Sequence, residues 1–409
     1  YTIVPHVDLL LFLFYYYQRP MDSTFRRRTV MIYFIAGTLG FIPIFLFLYS
    51  RYVSQKPTLY VKSSTRWAQL LRENVPVIDE MYTPTWWCPF GFAQTIVRQL
   101  FRSCPELPWE REIMKYSDGG ISALDWLHPT DKATRDDKKT PIVLFLPGIT
   151  GSTKTAAYLL HAAVEANQKG WRVAVSNCRG LGGIELTTPR TYNANSTDDI
   201  KAVIKMIGER YPDAKKLGCG FSLGGMILWN YLSKCEPGED TGLNAGMILS
   251  SPWNSLRSTV AIETFFNRIL FNQNILASLI DLVRPYKEMF EDMVDWEAML
   301  QAKTIRDFDM AFVVPLFGYR DYKEYYHESA LYYKVHRIPI PMIALNAADD
   351  CFCLPDTIPF DDVCRSENVA VCHTQHGGHT AFMQGVNPND PGFIEKLLVQ
   401  VGDVVFHKL

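Results

Sequence analysis

One serine sits between glycines at a spacing that could do chemistry: Gly220-Phe221-Ser222-Leu223-Gly224-Gly225. An apolar run, Leu217–Phe221, precedes it, and a helical pattern, Gly224–Leu232, follows. A strand that turns at once into a helix holds the corner residue in a strained conformation with its side chain exposed. Side chains at positions 220 and 224 would collide with backbone in so tight a turn. The helix that follows aims the positive end of its dipole at the place where an oxyanion would form. Ser222 is therefore a candidate nucleophile for acyl transfer. The plainer alternative is a glycine-rich structural turn.

A serine hydroxyl needs a base, and the base needs an acid to orient it and to stabilise its charged form. For a nucleophile at such a corner, the acid and then the histidine follow on loops after later strands. The run Pro341–Asn346 ends in Asn346-Ala347-Ala348-Asp349-Asp350, which offers two acids. The run Val369–Thr374 leads to His376-Gly377-Gly378-His379. His373 lies within the strand run. His379 follows two glycines that can bring the loop back over the serine and is the expected base, with His376 the alternative. Three histidines at spacing three invite a metal-site reading, but a loop has no helical face to align them. No metal and no cofactor is expected. Two backbone N–H groups must face the oxyanion. Leu223 supplies one. The turn Leu146-Pro147-Gly148-Ile149-Thr150-Gly151 offers Ile149, with Thr150 next.

These residues need a rigid frame. From Trp109 onward, short apolar runs (Ile142–Leu146, Trp171–Ser176, Leu217–Phe221, Ala245–Ser250) alternate with helical patterns (Lys154–Gln168, Ser196–Tyr211, Gly224–Leu232). That alternation predicts an α/β domain with a mostly parallel central sheet. Ahead of it, Arg111–Tyr116 and Ile121–Trp126 flank a Gly-rich turn and predict a hairpin. Residues 251–335 form an insertion before the last two strands, expected as a helical cap. Within it Phe265, Phe266, Ile269, Leu270, Ile275, Leu276, Leu279 and Val283 recur at helical spacing. Most should pack, and some are expected to line an apolar substrate tunnel.

The amino-terminal fifth differs. Thr29–Ser50 runs 22 residues without a charge, fenced by Arg26, Arg27, Arg28 and Arg51. As a helix it would span ~33 Å, enough for a hydrocarbon core of ~30 Å. A transmembrane anchor over 29–50 is expected, after a tail at 1–28 and before a Pro- and Trp-dotted connector at 51–108. The triple Arg beside the span favours a type II, single-pass topology with the catalytic domain (109–409) luminal or extracellular. Residues 9–17 are apolar but too few to span. The chain starts at Tyr1, and Met21 stands shortly before the basic cluster, so residues 1–20 raise the question of a gene-model artefact and are assigned no function. The single sequon, Asn195-Ser196-Thr197, adds little.

Composition sets the outer bounds. The chain has 409 residues, 48% hydrophobic, with a net charge of −2. Near-zero charge gives no reason to expect a nucleic-acid partner. Nine scattered cysteines are too sparse for a disulfide scaffold.

The chain resembles the α/β-hydrolase branch of membrane-anchored phospholipases and related lipid esterases, from about Pro57 to the end. The likeness rests on Pro84-Thr85-x-Trp87-Cys88, Leu146-Pro147-Gly148-x-Thr150-Gly151, Asn177-x-Arg179-Gly180 and Thr188-Pro189-Arg190-Thr191-Tyr192. It also rests on the Ser222 elbow, Thr304-Ile305-Arg306-x-Phe308-Asp309, Phe317-Gly318-Tyr319, Asn346-x-x-Asp349-Asp350 and Gly377-Gly378-His379. The resemblance implies an amino-terminal membrane anchor, a triad of Ser222, Asp350 and His379, and acyl esters of phospholipids or glycerol as substrates. Relatives regarded as acyltransferases carry an acid five positions after the triad histidine, where this chain has Gln384. That departure favours hydrolysis over acyl transfer to a lipid alcohol. A non-catalytic membrane scaffold is the alternative from another class. The expected partners are a lipid substrate and the bilayer.

Overall fold

The computed structural model describes residues 23–409, apart from several side chains of the first helix. That helix, α1 (Ser23–Tyr52), contains the uncharged run and has Pro43 inside it. Among the described residues no helix is long and apolar enough to cross a membrane. The anchor expected at 29–50 therefore falls on a helix whose side chains are only partly described. Two compact units divide the chain, Tyr1–Tyr49 and Ser50–Leu409.

The larger unit is built on a nine-stranded sheet in the order β1-β9-β8-β7-β6-β4-β5-β3-β2. The strands are β1 (Thr58–Tyr60), β2 (Glu110–Lys115), β3 (Ile121–Leu127), β4 (Ile142–Leu146), β5 (Arg172–Ser176), β6 (Lys216–Phe221), β7 (Ala245–Leu249), β8 (Met342–Ala347) and β9 (Val369–Thr374). The six central strands pair in parallel, from β5 through β4, β6, β7 and β8 to β9. They read as unbroken apolar runs because helices cover both of their faces. The hairpin β2–β3 closes one edge antiparallel. At the other edge β1 pairs antiparallel with β9, Leu59 opposite Cys372.

Residues 51–108, expected as a connector, pack into this unit. Helix α2 (Arg66–Asn74) buries Trp67, Leu70 and Leu71. Helix α3 (Gly91–Phe101) buries Gln94 and Arg98. The Pro84–Cys88 motif is tied to the segment after His379: Thr85 N–H donates to Met383 O (3.1 Å), and Trp87 Nε1–H donates to Val386 O (2.8 Å). The crossover helices α4 (Ala157–Gln168), α5 (Asp198–Arg210) and α6 (Leu223–Ser233) lie where the sequence predicts them. Arg179 of the Asn177-x-Arg179-Gly180 motif joins the hairpin turn to α5 through Asp118 (2.6 Å) and Asp199 (2.7 Å). The insertion folds as short helices around their own apolar cluster, including α7 (Ser255–Ile262), α8 (Gln273–Val283) and α9 (Tyr322–Ser329). The final helix, α10 (Phe393–His407), buries Leu397, Leu398 and Val401 against α2 and α4.

Candidate active site

Ser222 occupies the corner between β6 and α6 with φ 51° and ψ −117°. Such positive φ is costly for a residue with a side chain and persists where the surroundings over-determine it. They do so here. A Cβ on Gly224 would come within 2.2 Å of Leu146 O and 2.4 Å of Pro147 O, and one on Gly220 within 2.5 Å of Gly225 Cα. The turn can close only because these positions have no side chain.

The loop after β9 returns His379 to this corner. His379 Nε2 lies 3.0 Å from Ser222 Oγ, and Nδ1 lies 3.0 and 3.1 Å from the two carboxylate oxygens of Asp350. The Asp350 side chain is fully buried, and its Oδ1 accepts from Phe352 N (2.8 Å) and Cys353 N (3.2 Å). The alternative pair is separate. His376 Nδ1 meets Asp349 Oδ2 at 3.0 Å, and Gly378 N–H donates to Asp349 Oδ1 (2.9 Å). Asp349 and His376 thus clamp the loop that carries His379. The three histidines are not gathered, since His373 packs in β9 beside Tyr60 and Phe360.

Ile149 and Leu223, which carry the two candidate oxyanion donors, line the same cavity as Ser222 and His379. Leu223 opens α6, where an N–H has no partner within the helix. In the Leu146–Gly151 turn, Gly148 N–H donates to Tyr158 Oη (2.8 Å) and Thr150 N–H donates to Tyr192 Oη (3.2 Å). Ile149 N–H has no hydrogen-bond partner among the described residues. Its neighbours are occupied, so Ile149 is the available donor and Thr150 is not.

Sequence reasoning missed the support given by α3. His379 N–H donates to Thr95 Oγ1 (2.9 Å). The loop approaches α3 so closely that a Cβ on Gly378 would lie 2.2 Å from Gly91 O. One turn further on, Arg98 donates to Ala381 O and pairs with Glu395 of α10 (2.8 Å), which also takes Arg102 (2.9 Å). Burial works against the Glu395 charge, but the two guanidiniums and the Gly392 N–H overcome it and hold the carboxyl down at about 2. Burial and the neighbouring Arg102 charge lower the basicity of Arg98.

A cavity of about 550 Å³ opens onto the serine. Leu223, Met226, Ile262, Ile269, Phe271 and Ile275 give it apolar walls. Of the insertion's apolar series, Ile269, Leu270 and Ile275 line this cavity and Leu276, Leu279 and Val283 pack within the cap, while Phe265 and Phe266 are exposed. Phe352 lies over the His379 ring with centroids 4.2 Å apart. Buried Asp309 lines the same cavity, and burial pushes its carboxyl up to about 7. Gln384 accepts from Lys396 Nζ (3.0 Å). The sequon residue Asn195 donates its amide to Tyr319 and Glu328.

Asp350, Cys353 and His379 bring three potential ligand atoms within 4.8 Å of one another. Each already has a protein partner, Cys353 Sγ donating to Ser250 O (3.1 Å). Burial raises the Cys353 thiol well above its usual range, away from the thiolate a metal would need. These residues fit proton transfer better than ligation.

A family model and several relatives match this chain. The family model described as alpha/beta hydrolase fold matches residues 141–386. Protein abhd-3.2 of Caenorhabditis elegans is 50% identical over 365 residues, covering 89% of this chain and 96% of its own length. Phospholipase ABHD3 of Homo sapiens is 35% identical over 363 residues, covering 88% of each. Among solved structures, the esterase Pf2001 of Pyrococcus furiosus superposes with a TM-score of 0.46 at 15% identity, over 73% of this chain and 89% of its own.

Proposed function

The chain belongs to the alpha/beta hydrolase fold family, and on that premise we propose that it is a serine hydrolase of lipid acyl esters acting through Ser222, His379 and Asp350. The observation that carries this reading is the unbroken line from Ser222 Oγ through both nitrogens of His379 to the buried Asp350 carboxylate. His379 Nε2 takes the Ser222 proton as Oγ attacks the ester carbonyl. The N–H groups of Leu223 and Ile149 stabilise the resulting oxyanion. Collapse returns the proton from His379 to the departing alcohol and leaves an acyl group on Ser222. Water, deprotonated by His379, then releases the free fatty acid.

The substrate class follows from the apolar cavity beside the serine and from similarity to a phospholipase. Residues 29–50 hold the enzyme to a membrane in this reading, supported by the 22-residue uncharged run and by exposed Phe41, Ile42, Ile44 and Phe45. The basic cluster before that run supports a type II topology.

A fluorophosphonate probe should label the wild type and not Ser222→Ala. Purified protein given a phospholipid should release free fatty acid. Folded wild type that resists the probe would overturn the enzymatic reading. A new ester formed without free acid would replace hydrolysis by acyl transfer. Release of the protein from membranes by alkaline carbonate would overturn the anchor.

A further inference from the structure

The segment Thr304-Ile305-Arg306-Asp307-Phe308-Asp309 plays no part in the elbow chemistry, yet it is fixed from several sides. Thr304 and Asp307 form a capping box, and Asn272 Oδ1 accepts from Ile305 N–H at 3.0 Å. Arg306 pairs with Glu263. This turn delivers Asp309 to the wall of the cavity that holds Ser222 and His379. Asp309 also lines a small adjoining cavity of about 30 Å³, together with Ile149 and Leu223, the residues that carry the two oxyanion donors. Asp309 therefore shares both linings with the residues of the oxyanion donors.

Asp309 is 7% exposed. Its Oδ2 accepts from Tyr326 Oη (2.8 Å), while Oδ1 has no hydrogen-bond partner among the described residues. That oxygen is left free to accept from a donor brought into the cavity. The cavity that Asp309 lines also carries the hydroxyls of Ser255, Thr259, Tyr325, Tyr326 and Ser329. Burial works against a full charge on Asp309, which disfavours a site built for a cationic group. A neutral donor fits better.

We propose that Asp309, aimed by Tyr326, is a hydrogen-bonding subsite for a free hydroxyl on the alcohol half of the ester. The preferred substrates are then acyl esters with a hydroxyl on the carbon beside the ester-bearing carbon, as in monoacylated phospholipids and partial glycerides. This rests on the ester hydrolysis proposed at Ser222. The elevated Asp309 carboxyl agrees with a site whose partner is neutral.

Two matched esters test it: a 1-acyl-glycerophosphocholine and its 2-O-methyl ether, with the same chain and head group. Wild type should favour the hydroxyl ester in kcat/KM by roughly tenfold or more, as expected when a buried polar group loses its partner. Asp309→Leu, close in volume, should bring the ratio near one. Tyr326→Phe should lower it several-fold, and serves as the test if Asp309→Leu does not fold. A wild-type ratio near one, or a ratio unmoved by these variants, overturns the subsite and leaves hydrolysis standing. Failure to cleave either ester by protein whose Ser222 still takes the fluorophosphonate overturns the preference for monoacylated substrates, whereas loss of the label itself would overturn the chemistry at Ser222.

Discussion

Replacing Glu395 by Gln should loosen the His379 loop from a distance. The Glu395 side chain is fully buried between Arg98 (2.8 Å) and Arg102 (2.9 Å). Its carboxyl, ordinarily near 4.5, is held at about 2. A depressed carboxyl contributes stability that is fully present above about 4.5 and is lost as pH falls toward 2. The difference, 4.5 − 2 = 2.5, at about 1.36 kcal/mol per pH unit gives roughly 3 kcal/mol. The variant also strands two buried guanidiniums, a loss of about 3–5 kcal/mol in comparable cases. Both routes predict that Glu395→Gln loses about 3 kcal/mol at neutral pH and that its stability falls less steeply between pH 4.5 and 2. Urea unfolding followed by the fluorescence of the nine tryptophans would measure this across pH. Because Arg98 also binds Ala381 O, two residues beyond His379, labelling of Ser222 should slow in the same variant. A loss under about 1 kcal/mol with an unchanged acid limb would refute the reasoning.

Three further outcomes follow from the geometry. His379→Ala should reduce hydrolysis roughly a thousandfold or more, as for loss of a triad base, while His376→Ala, which loses only its Asp349 contact, should stay within about tenfold of wild type; steady-state kinetics on one phospholipid separates them. Thr95→Val removes the acceptor for His379 N–H and should lower kcat by about tenfold with KM little changed. Gly224→Ala should cost about 3 kcal/mol or more, because its Cβ would press on the Leu146 and Pro147 carbonyls; thermal unfolding and the yield of folded protein would show it.

The sequence revealed what is local. Buried parallel strands announce themselves as apolar runs, and the glycines around Ser222 mark a turn that tolerates nothing larger. The order acid-then-histidine could be read for the same reason, since each partner follows a recognisable strand. Spacing alone left Asp349 beside Asp350 and His376 beside His379. The structure pairs them across two loops, Asp350 with His379 and Asp349 with His376. Thr95 could not be found this way, because 284 positions separate it from the His379 N–H it accepts from. A separation of 297 positions likewise hid the pairing of Arg98 with Glu395. Strand β1 has three residues, too few to show a period. Gly91 is one glycine among many in the sequence; only the fold brings its carbonyl oxygen within 2.2 Å of where a Cβ on Gly378 would stand. Asp309 lay within a motif, but its orientation toward the cavity depends on the fold of the cap.

The pairing of β1 with β9, and of α3 with the His379 loop and α10, has a consequence for synthesis. Chain leaving a ribosome would expose the apolar faces of α2 and β1 some three hundred residues before their partners exist. Strands β4 to β7 can gather early, since each connection among them is a short crossover. The serine corner would then form first, while its base waits for the last quarter of the polypeptide. Contacts so distant in sequence are slow to close. Reactivity toward a fluorophosphonate in arrested nascent chains should therefore rise late, once residues beyond 395 have emerged and α10 can lock α3 in place.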